Sequence, residues 1–407
     1  MKPNGTLTIR YGTDDDRLSA RKIYDEVFND SELYTNYYFE NVFDIENFLI
    51  LEEYYNNSPR IVATLHENPH TVIINEEKFA ASFLFAVAVN MEDRGKGYMN
   101  DLVRYAIKNS KKTKLDIIFL IPINSKIYKK YGFAYVANLE KYNIFIDNLI
   151  NFDTNLDFKK LEMTRKEKKE REEKEEREEN FNKIEIKRVD ENSEVQFYND
   201  LVKIYKEKMK KFNLYFERDE NSFIRLIKGL KTESGRCYLL YRDNKAQGYF
   251  TFVIEGNKIK ILELFLLDVY LYSQVFKMIY SQKEYYREVE ILSHEKSNIN
   301  FYFNNKLDIK KEMMPIFMAR ILNIREILKN VIADSFIGDV KLRIIDNIIE
   351  MNSGVYHVKN KNNVVFTEDN GYFIRDHAEI SIEDFAHMLF GYFDIDEMIA
   401  LNKIKIN

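Results

Sequence analysis

Short runs of apolar residues in the first 150 positions predict a layer of strands and helices. Alternation of apolar and polar positions is typical of half-buried strands, and an uninterrupted apolar run is typical of a strand covered on both faces. The segment 67–70, ENPH, contains a proline and is predicted to be a turn between two strands. The predicted strands are residues 6–10, 60–66, 71–75, 82–89 and 115–122.

A helical repeat follows the apolar run 82–89. Its apolar residues recur at spacings of three and four and therefore lie on one face of an amphipathic helix. Those residues are Met99, Leu102, Val103, Ala106 and Ile107. Residues 124–136 then predict a short helix, a glycine stop and a strand. The order strand, corner, helix, strand indicates a mixed α/β domain over residues 1–150.

A highly charged segment, residues 159–179, interrupts this pattern. Glu167 with Arg171, and Glu170 with Lys174, have the i, i+4 spacing that stabilises a helix by only about 0.2–0.5 kcal/mol per pair. The segment has no apolar face that could join a core. We therefore expect a charged helical insert or linker over residues 151–182.

Strand and helix patterns resume after the insert in an order similar to that of the first domain. Residues 183–190 predict a strand, residues 194–212 a helix, and later strands are separated by turns at 243–244 and 256–257. These elements indicate a diverged duplicate of the first domain over residues 183–300. No Arg-Gly-x-Gly corner follows its long strands, so we expect this duplicate to be degenerate.

The last part of the chain predicts a third module with both strands and helices, residues 301–407. Segments KLRIIDN and GVYHVKN have the texture of strands. Ser381 precedes a helical pattern and is a predicted N-cap, because its hydroxyl can accept a hydrogen bond from the first turn.

The composition excludes several classes of function. The formal net charge of -5 argues against a general nucleic-acid binder. No apolar run reaches the roughly 18–20 residues of a membrane helix, and the N-terminus lacks the apolar core of a signal peptide. A single cysteine, Cys237, suits a reducing cytoplasm, and the six histidines lack metal-ligand spacing. We expect a cytoplasmic protein without a metal and without nucleic-acid or membrane partners.

The corner Arg94-Gly95-Lys96-Gly97 connects the apolar run to the helical repeat. Peptide N–H groups at a helix N-terminus bind phosphate oxygens, and the two cations would add charge-assisted contacts. Glycines are equally required by tight turns that bind nothing. The spacing matches neither a P-loop nor a dinucleotide fingerprint. The residues alone leave a phosphate cradle and a plain turn both open.

Two segments together resemble the GNAT superfamily of N-acetyltransferases. Residues 87–89, VAV, followed by 94–99, RGKGYM, are similar to its acetyl-coenzyme A motif, Arg/Gln-x-x-Gly-x-Gly/Ala. Residues 124–133, NSKIYKKYGF, are similar to its second motif, a helix end with Tyr-x-x-x-Gly-Phe. One helix and one strand are predicted between the two motifs, which is the order of elements in the superfamily.

Met99 stands where most members have glycine or alanine. This departure, the duplicated middle unit and the C-terminal module together resemble the enhanced intracellular survival (Eis-like) branch. The branch combines two GNAT-like units with a sterol-carrier-protein-like domain. The resemblance implies an α/β (α+β) chain with two tandem GNAT-like mixed-sheet units and a sterol-carrier-protein-like α+β domain at 301–407. It also implies a homo-oligomer, a trimer or hexamer. The third domain is expected to wall the substrate cleft, since fold alone does not imply lipid binding.

The resemblance implies acetyl-CoA as co-substrate and no metal. The residues implied to hold acetyl-CoA are Val87, Ala88, Val89, Arg94, Gly95, Lys96, Gly97, Tyr98, Met99, Asn100 and Asn124. Tyr128 is implied as the general acid, because a phenol with its ordinary pKa of about 10 is protonated at neutral pH. The base of the branch is the C-terminal carboxylate, here of Asn407, although the branch commonly ends in an aromatic residue. Asp25 and Glu26 on the first predicted helix are alternative acidic groups that would attract a cationic amine.

Two functions of different classes remain open at this point. The first is an N-acetyltransferase acting on an aminoglycoside-like, polyamine-like or lysine amine, since an acidic protein favours cationic substrates. The second is a non-catalytic protein with a relic GNAT fold that binds a small molecule or lipid. Tyr128 and the basic corner favour the enzyme, whereas the altered C-terminus favours the binding protein.

Overall fold

The architecture is that of a computed structural model of the chain. The structure describes residues 6–55, 58–152, 184–294, 297, 299–303, 308–332, 338–360, 363–368 and 377–406. Apart from its first two residues, the predicted insert 151–182 lies outside the described part of the chain. Packing divides the chain into two compact units: unit 1 comprises residues 1–137, 212–217 and 315–407, and unit 2 comprises residues 138–211 and 218–314. The predicted boundaries at 150, 182 and 300 do not coincide with this division.

The first elements of the chain alternate strands and helices, as the apolar pattern predicts. They are β1 (Thr6–Tyr11), α1 (Arg17–Val27), α2 (Glu32–Asn41), β2 (Phe48–Tyr55), β3 (Ser58–Ile74), β4 (Glu77–Val89), α3 (Tyr98–Thr113), β5 (Ile117–Leu120) and α4 (Ser125–Lys129). The next strand, β6 (Ala134–Phe145), begins in unit 1 and ends in unit 2.

The middle of the chain repeats this alternation. Its elements are β7 (Ile184–Val189), α5 (Val195–Met209), β8 (Leu214–Phe216), α6 (Glu220–Thr232), β9 (Arg236–Arg242), β10 (Lys245–Glu255), β11 (Lys258–Leu266), α7 (Tyr270–Tyr280) and β12 (Glu288–His294). Of these, β8 belongs to unit 1 because it pairs with β3.

The last elements form the C-terminal domain and one strand that precedes it. They are β13 (Ile309–Ile321), α8 (Ile324–Val331), β14 (Val340–Ile345), β15 (Gly354–Asn360), β16 (Asn363–Glu368), β17 (Ala378–Ser381), α9 (Ile382–Leu389), α10 (Ile395–Ala400) and β18 (Ile404–Ile406). The predicted N-cap at Ser381 is confirmed, because its Oγ accepts a hydrogen bond from the Asp384 N–H at 3.1 Å.

Unit 1 contains a mixed sheet with the strand order β1-β2-β3-β4-β5-β13. Its neighbouring strands are antiparallel except for β4 and β5, which run parallel and are connected by α3. The C-terminal domain has a separate sheet with the order β16-β15-β14-β17-β18. A parallel pair bridged by a helix is the arrangement that the strand-corner-helix-strand pattern predicts.

The predicted turn at residues 67–70 is wrong, because β3 runs through it as one strand. Pro69 lies opposite Ser82 of β4. On the other edge of β3, β2 pairs only as far as His66 and β8 begins at Val72. Residues 67–71 therefore have β4 as their single partner strand in the described chain. A proline has no N–H to donate and is tolerated at such an edge.

Two different layers cover the two faces of the first sheet in unit 1. On one face, α3 packs through its predicted apolar residues, of which Leu102 and Ile107 have no exposed surface. On the other face, α1 and α2 pack around Phe85, while α8 and the core of the C-terminal domain pack around Phe79 and Ala81. The C-terminal domain therefore shares a hydrophobic core with the strands that carry the first motif.

Unit 2 repeats the mixed-sheet arrangement with the order β6-β12-β11-β10-β9-β7. Its parallel pair is β11 and β12, connected by α7. The predicted turns at 243–244 and 256–257 are present, with positive φ at Asp243, Asn244 and Gly256. Residues Leu267–Val269, between β11 and α7, contain no glycine, as the sequence indicates. The predicted mixed α/β fold class is confirmed. No helix in the described ranges is both long and apolar enough to cross a membrane.

Candidate active site

Strand β4 contains a bulge three residues before it ends. Ala86 has φ +49°, and the pairing register of β3 with β4 shifts between Thr64 and His66 at the same level. A non-glycine residue at positive φ costs on the order of 1–2 kcal/mol, so surrounding packing must hold it. Ala86 is buried, as that requirement demands.

The bulge coincides with a separation of β4 from β5. These two strands pair only at three positions, the last of which joins Phe83 to Phe119. Beyond Phe83, the edge of β4 that faces β5 has no strand partner within the described residues, and this edge includes Val87, Ala88 and Val89. Free backbone N–H and C=O groups at this gap are suited to pair with amide groups of an extended ligand.

The predicted glycine corner, residues 94–97, lies shortly after the end of β4. Gly95 has φ +83° and Gly97 has φ +94°, and a Cβ built on either would meet no atom within 4 Å. The backbone conformation therefore requires these glycines, and the space beside them is open. The first hydrogen bond into helix α3 runs from the Asp101 N–H to the Gly97 carbonyl at 3.2 Å. The preceding N–H groups have no acceptor within the helix, and such groups at a helix N-terminus attract anions. The Lys96 N–H donates outside the helix, to the Asp93 carbonyl at 3.4 Å.

Ion pairs of Asp93 fix the position of the glycine corner. Lys96 Nζ lies 2.6 Å from Asp93 Oδ1, and Arg60 Nη2 donates to the same carboxylate at 2.9 Å. Asp93 is fully buried; burial acts to raise its pKa, but the bonds from Arg60 and Lys96 outweigh burial and lower that pKa. Arg94 is exposed and forms no ion pair with the described residues. Of the two predicted cations, Arg94 is thus available to a ligand and Lys96 is engaged by Asp93.

Side chains at the start of α3 are engaged within the protein. Tyr98 is 1% exposed and donates its hydroxyl to Glu53 Oε1 at 3.2 Å. Met99 packs against the core beneath α3, which explains why a bulky apolar residue fits there. Asn100 donates to Asp101 Oδ1 at 3.2 Å and accepts from Arg104 Nε at 3.3 Å. These three residues therefore offer a ligand their backbone N–H groups rather than their side chains.

The second motif forms helix α4 and the turn that ends it. Asn124 is the N-cap of this helix, and its Oδ1 accepts from the Lys126 N–H at 3.0 Å. Tyr128 is half-buried, with its ring edge-on to Phe133 at a centroid distance of 5.9 Å. Burial raises the pKa of Tyr128 to about 12, so the phenol is protonated at neutral pH. Its hydroxyl has no hydrogen-bond partner among the described residues.

The structure places the predicted acidic groups at the surface or outside the described residues. Asp25 and Glu26 are exposed on α1, where Asp25 lies 3.7 Å from Arg21 and Glu26 lies 4.0 Å from Lys22. Such i, i+4 surface pairs contribute little stability. Asn407 lies outside the described residues, which end at Ile406 of β18.

Three features of the site have no clear signal in the sequence. Ala86 is the bulged residue of an otherwise regular apolar run, and its neighbours do not mark it. Asp93 and Arg60 are far apart in sequence and meet only because β3 and β4 are paired. Glu67 is 5% exposed, and burial raises the pKa of its carboxyl to about 7. Glu67 falls in the segment 67–70 that the sequence predicts as a turn, so nothing local marks it as buried.

The bulged and separated strand, the glycine corner at a helix N-terminus and the tyrosine turn all lie within residues 83–133. Residues 8–136 match the sequence profile of the acetyltransferase (GNAT) domain, and residues 322–407 match that of the sterol carrier protein domain. The chain therefore carries a GNAT domain at its N-terminal end and a sterol carrier protein domain at its C-terminal end. A comparison with curated proteins finds no match.

Three solved structures are similar over nearly the whole chain, each covering 99% of this chain and 94% of its own. A GCN5-related N-acetyltransferase from Anabaena variabilis is 15% identical with a TM-score of 0.76. A probable N-acyltransferase of unknown function from Enterococcus faecalis is 14% identical with a TM-score of 0.79. Eis1 from Mycobacterium abscessus is 10% identical with a TM-score of 0.70. At these identities the similarity concerns the fold.

Proposed function

We propose that this protein is an N-acetyltransferase of the Eis-like branch that transfers the acetyl group of acetyl-CoA to a primary amine. The observation that carries the proposal is the succession, within unit 1, of the bulge at Ala86, the open corner at Gly95 and Gly97, and the protonated phenol of Tyr128. Cytoplasmic location and assembly into a trimer or hexamer belong to the same proposal.

The residues of the corner fit the phosphate-bearing part of acetyl-CoA. Backbone N–H groups of Gly95 to Asn100 would hold the pyrophosphate at the N-terminus of α3. The exposed Arg94 would add a charge-assisted contact. The unpaired backbone edge of Val87–Val89 would pair with the pantetheine amides. Asn124, the N-cap of α4, would also contact acetyl-CoA.

The chemistry we propose is direct attack of the neutral amine on the thioester carbonyl. A C–N bond forms, the C–S bond breaks, and the amine loses one proton to a base. The departing thiolate takes a proton from the Tyr128 hydroxyl. Because burial raises the pKa of Tyr128 to about 12, the phenol carries this proton throughout the neutral range. The tyrosinate left by this transfer recovers a proton from solvent, which completes the cycle.

The base in this proposal is the C-terminal carboxylate of Asn407, with Asp25 and Glu26 as the alternative. Asp25 and Glu26 already form ion pairs with Arg21 and Lys22, which weakens them both as a base and as a site for a cationic amine. The acceptor is proposed to be an aminoglycoside-like, polyamine-like or lysine amine.

Thiol release tests the proposal. The protein is incubated with acetyl-CoA and a panel containing an aminoglycoside, spermidine and a lysine peptide, and free thiol is followed with a chromogenic disulfide. We expect turnover with at least one amine and a fall of about 10²–10⁴-fold in kcat for Tyr128→Phe. Tyr135→Phe, a half-buried tyrosine of the same core, is the matched control and should retain activity.

Two outcomes would contradict the proposal in different ways. Absence of both turnover and coenzyme A binding would support the alternative, a non-catalytic binding protein with a relic GNAT fold. Turnover that is unchanged in Tyr128→Phe would leave an acetyltransferase but remove Tyr128 as its acid. Deletion of Asn407 addresses the base separately, since a C-terminal carboxylate displaced by one residue should lower kcat.

A further inference from the structure

A fully buried ion pair lies beneath the turn that follows Tyr128. Arg320, on β13, has no exposed surface, and its Nη2 lies 2.6 Å from both carboxylate oxygens of Asp346. Its Nη1 donates to the Ile321 carbonyl at 2.8 Å. Asp346 follows β14 and so belongs to the sterol carrier protein domain.

The carboxylate of Asp346 is held in place by further donors of the same domain. It accepts from the N–H groups of Ile348 and Ile349, each at 3.0 Å, and from Asn352 Nδ2 at 2.9 Å. Asn352 is itself 4% exposed and also donates to the Leu322 carbonyl at 3.1 Å. With these donors in place, the carboxylate has little freedom to move.

The guanidinium of Arg320 lies against the backbone of Gly132. A Cβ built on Gly132 would be 2.9 Å from Arg320 Nε and 3.0 Å from Cζ, and Gly132 has φ +81°. Gly132 donates its N–H to the Lys129 carbonyl at 2.9 Å, and the Tyr131 N–H donates to the Tyr128 carbonyl at 2.9 Å. The turn at the C-terminal end of α4 therefore packs directly against the planar side chain of Arg320.

A buried ion pair is a costly way to fill this position, because apolar side chains of similar volume are often as stabilising. The surrounding cluster is apolar and includes Phe133, Met318 and Leu322. What the pair adds is a planar group whose orientation is fixed by Nη2 on the Asp346 carboxylate and by Nη1 on the Ile321 carbonyl. Such a group restricts the turn at Gly132 more strongly than a flexible apolar side chain would.

We propose that Arg320 and Asp346 are positioning residues for Tyr128, through which the sterol carrier protein domain fixes the acid of the GNAT domain. This inference rests on the proposed function, in which Tyr128 protonates the departing thiolate. A displacement of the acid by about 1 Å can lower kcat by roughly 10²-fold. In this proposal the C-terminal domain contributes to catalysis by positioning Tyr128, and this role requires no bound lipid.

A double-mutant cycle on kcat tests the coupling. Arg320→Gln, Tyr128→Phe and the double variant are compared, with rates normalised to the number of coenzyme A-binding sites. We expect Arg320→Gln to lower kcat by roughly 10- to 100-fold with KM for acetyl-CoA changed less than about threefold. In the Tyr128→Phe background the Arg320 substitution should have no further effect, because its target is gone. Arg320→Lys, which keeps the cation, should recover part of kcat.

A purely structural role gives a different result. In that case the two losses multiply in the double variant, and this outcome would overturn the inference while leaving the acetyltransferase proposal intact. Unchanged turnover in Tyr128→Phe overturns the inference together with the acid assignment. Arg10→Gln is the matched control, since it breaks the ion pairs to Asp16 and Glu52 without contact to α4 and should leave normalised kcat unchanged.

Arg320→Gln is at risk of folding poorly because it leaves Asp346 without its cation. Asn352→Ala is the milder variant, since it removes one donor to Asp346 and keeps the ion pair. It should lower kcat by a smaller factor, and that factor should again disappear in the Tyr128→Phe background. Factors that multiply in this second cycle would also overturn the inference.

Discussion

Replacement of Glu67 by glutamine is expected to change how the stability of the protein depends on pH. Glu67 lies on β3 opposite Leu84, two residues before the bulge of β4. It is 5% exposed, and its Oε2 accepts a hydrogen bond from Tyr11 at 2.9 Å. No cation of the described chain lies within ion-pair distance. Burial therefore raises the pKa of the carboxyl from 4.5 to about 7, although the Tyr11 bond acts to lower it.

The direction in which stability changes with pH follows from the number of protons that the folded and unfolded states bind. Between pH 4.5 and about 7, the folded protein keeps a proton on Glu67 that the unfolded chain has released. Stability contributed by this group is complete below pH 4.5 and is lost as the pH rises through the folded pKa. At about 1.36 kcal/mol for each pH unit of difference, the loss approaches roughly 3 kcal/mol above pH 7.

Urea unfolding at pH 5 and pH 8, followed by far-UV circular dichroism, measures this effect. Glu67→Gln cannot ionise, so it should match the unchanged protein at pH 5 within about 1 kcal/mol and exceed its stability at pH 8 by up to roughly 3 kcal/mol. Tyr11→Phe is the companion variant. It removes the bond that lowers the pKa and should extend the pH-dependent loss to higher pH.

A constant difference between Glu67→Gln and the unchanged protein at the two pH values would refute this reasoning. Such a result would mean that the Glu67 carboxyl is hydrated or finds a cation on folding. Because the chain has two packing units, the comparison applies to the unfolding transition that contains β3, which is the one that Glu67→Gln shifts.

Two further predictions concern the corner. Arg94→Gln should weaken coenzyme A binding by about tenfold in a calorimetric titration, and Lys96→Gln by clearly less, because Lys96 is already paired with Asp93; equal losses would contradict this assignment. Gly97→Ala should cost about 1–2 kcal/mol in thermal unfolding and also weaken coenzyme A binding. Gly391→Ala, with φ +66° and equally open space in the C-terminal domain, should cost similar stability with no effect on coenzyme A.

The local patterns of the chain were sufficient for most strands and for helix α3. A continuous apolar run or a helical repeat is decided by neighbours in sequence, and the strand and helix predicted around residues 82–107 are confirmed. The predicted turn at Pro69 is wrong because the cost of proline in a strand depends on whether a partner strand needs its N–H. That information belongs to the pairing of β3 with β2 and β8, which comes from distant parts of the chain.

The candidate site likewise has some features that the sequence indicates and others that only the tertiary structure decides. Glycines at positions 95 and 97 and a Tyr-x-x-x-Gly-Phe segment are short-range features, so the sequence alone indicated a corner and a helix end that could serve acetyl-CoA. Only the tertiary structure decided that Lys96 is engaged by Asp93, that Ala86 carries the bulge, and that Arg320 lies under Gly132. Each of these depends on groups brought together across strands, and the burial of charge that gives them their energies exists only after the chain has folded.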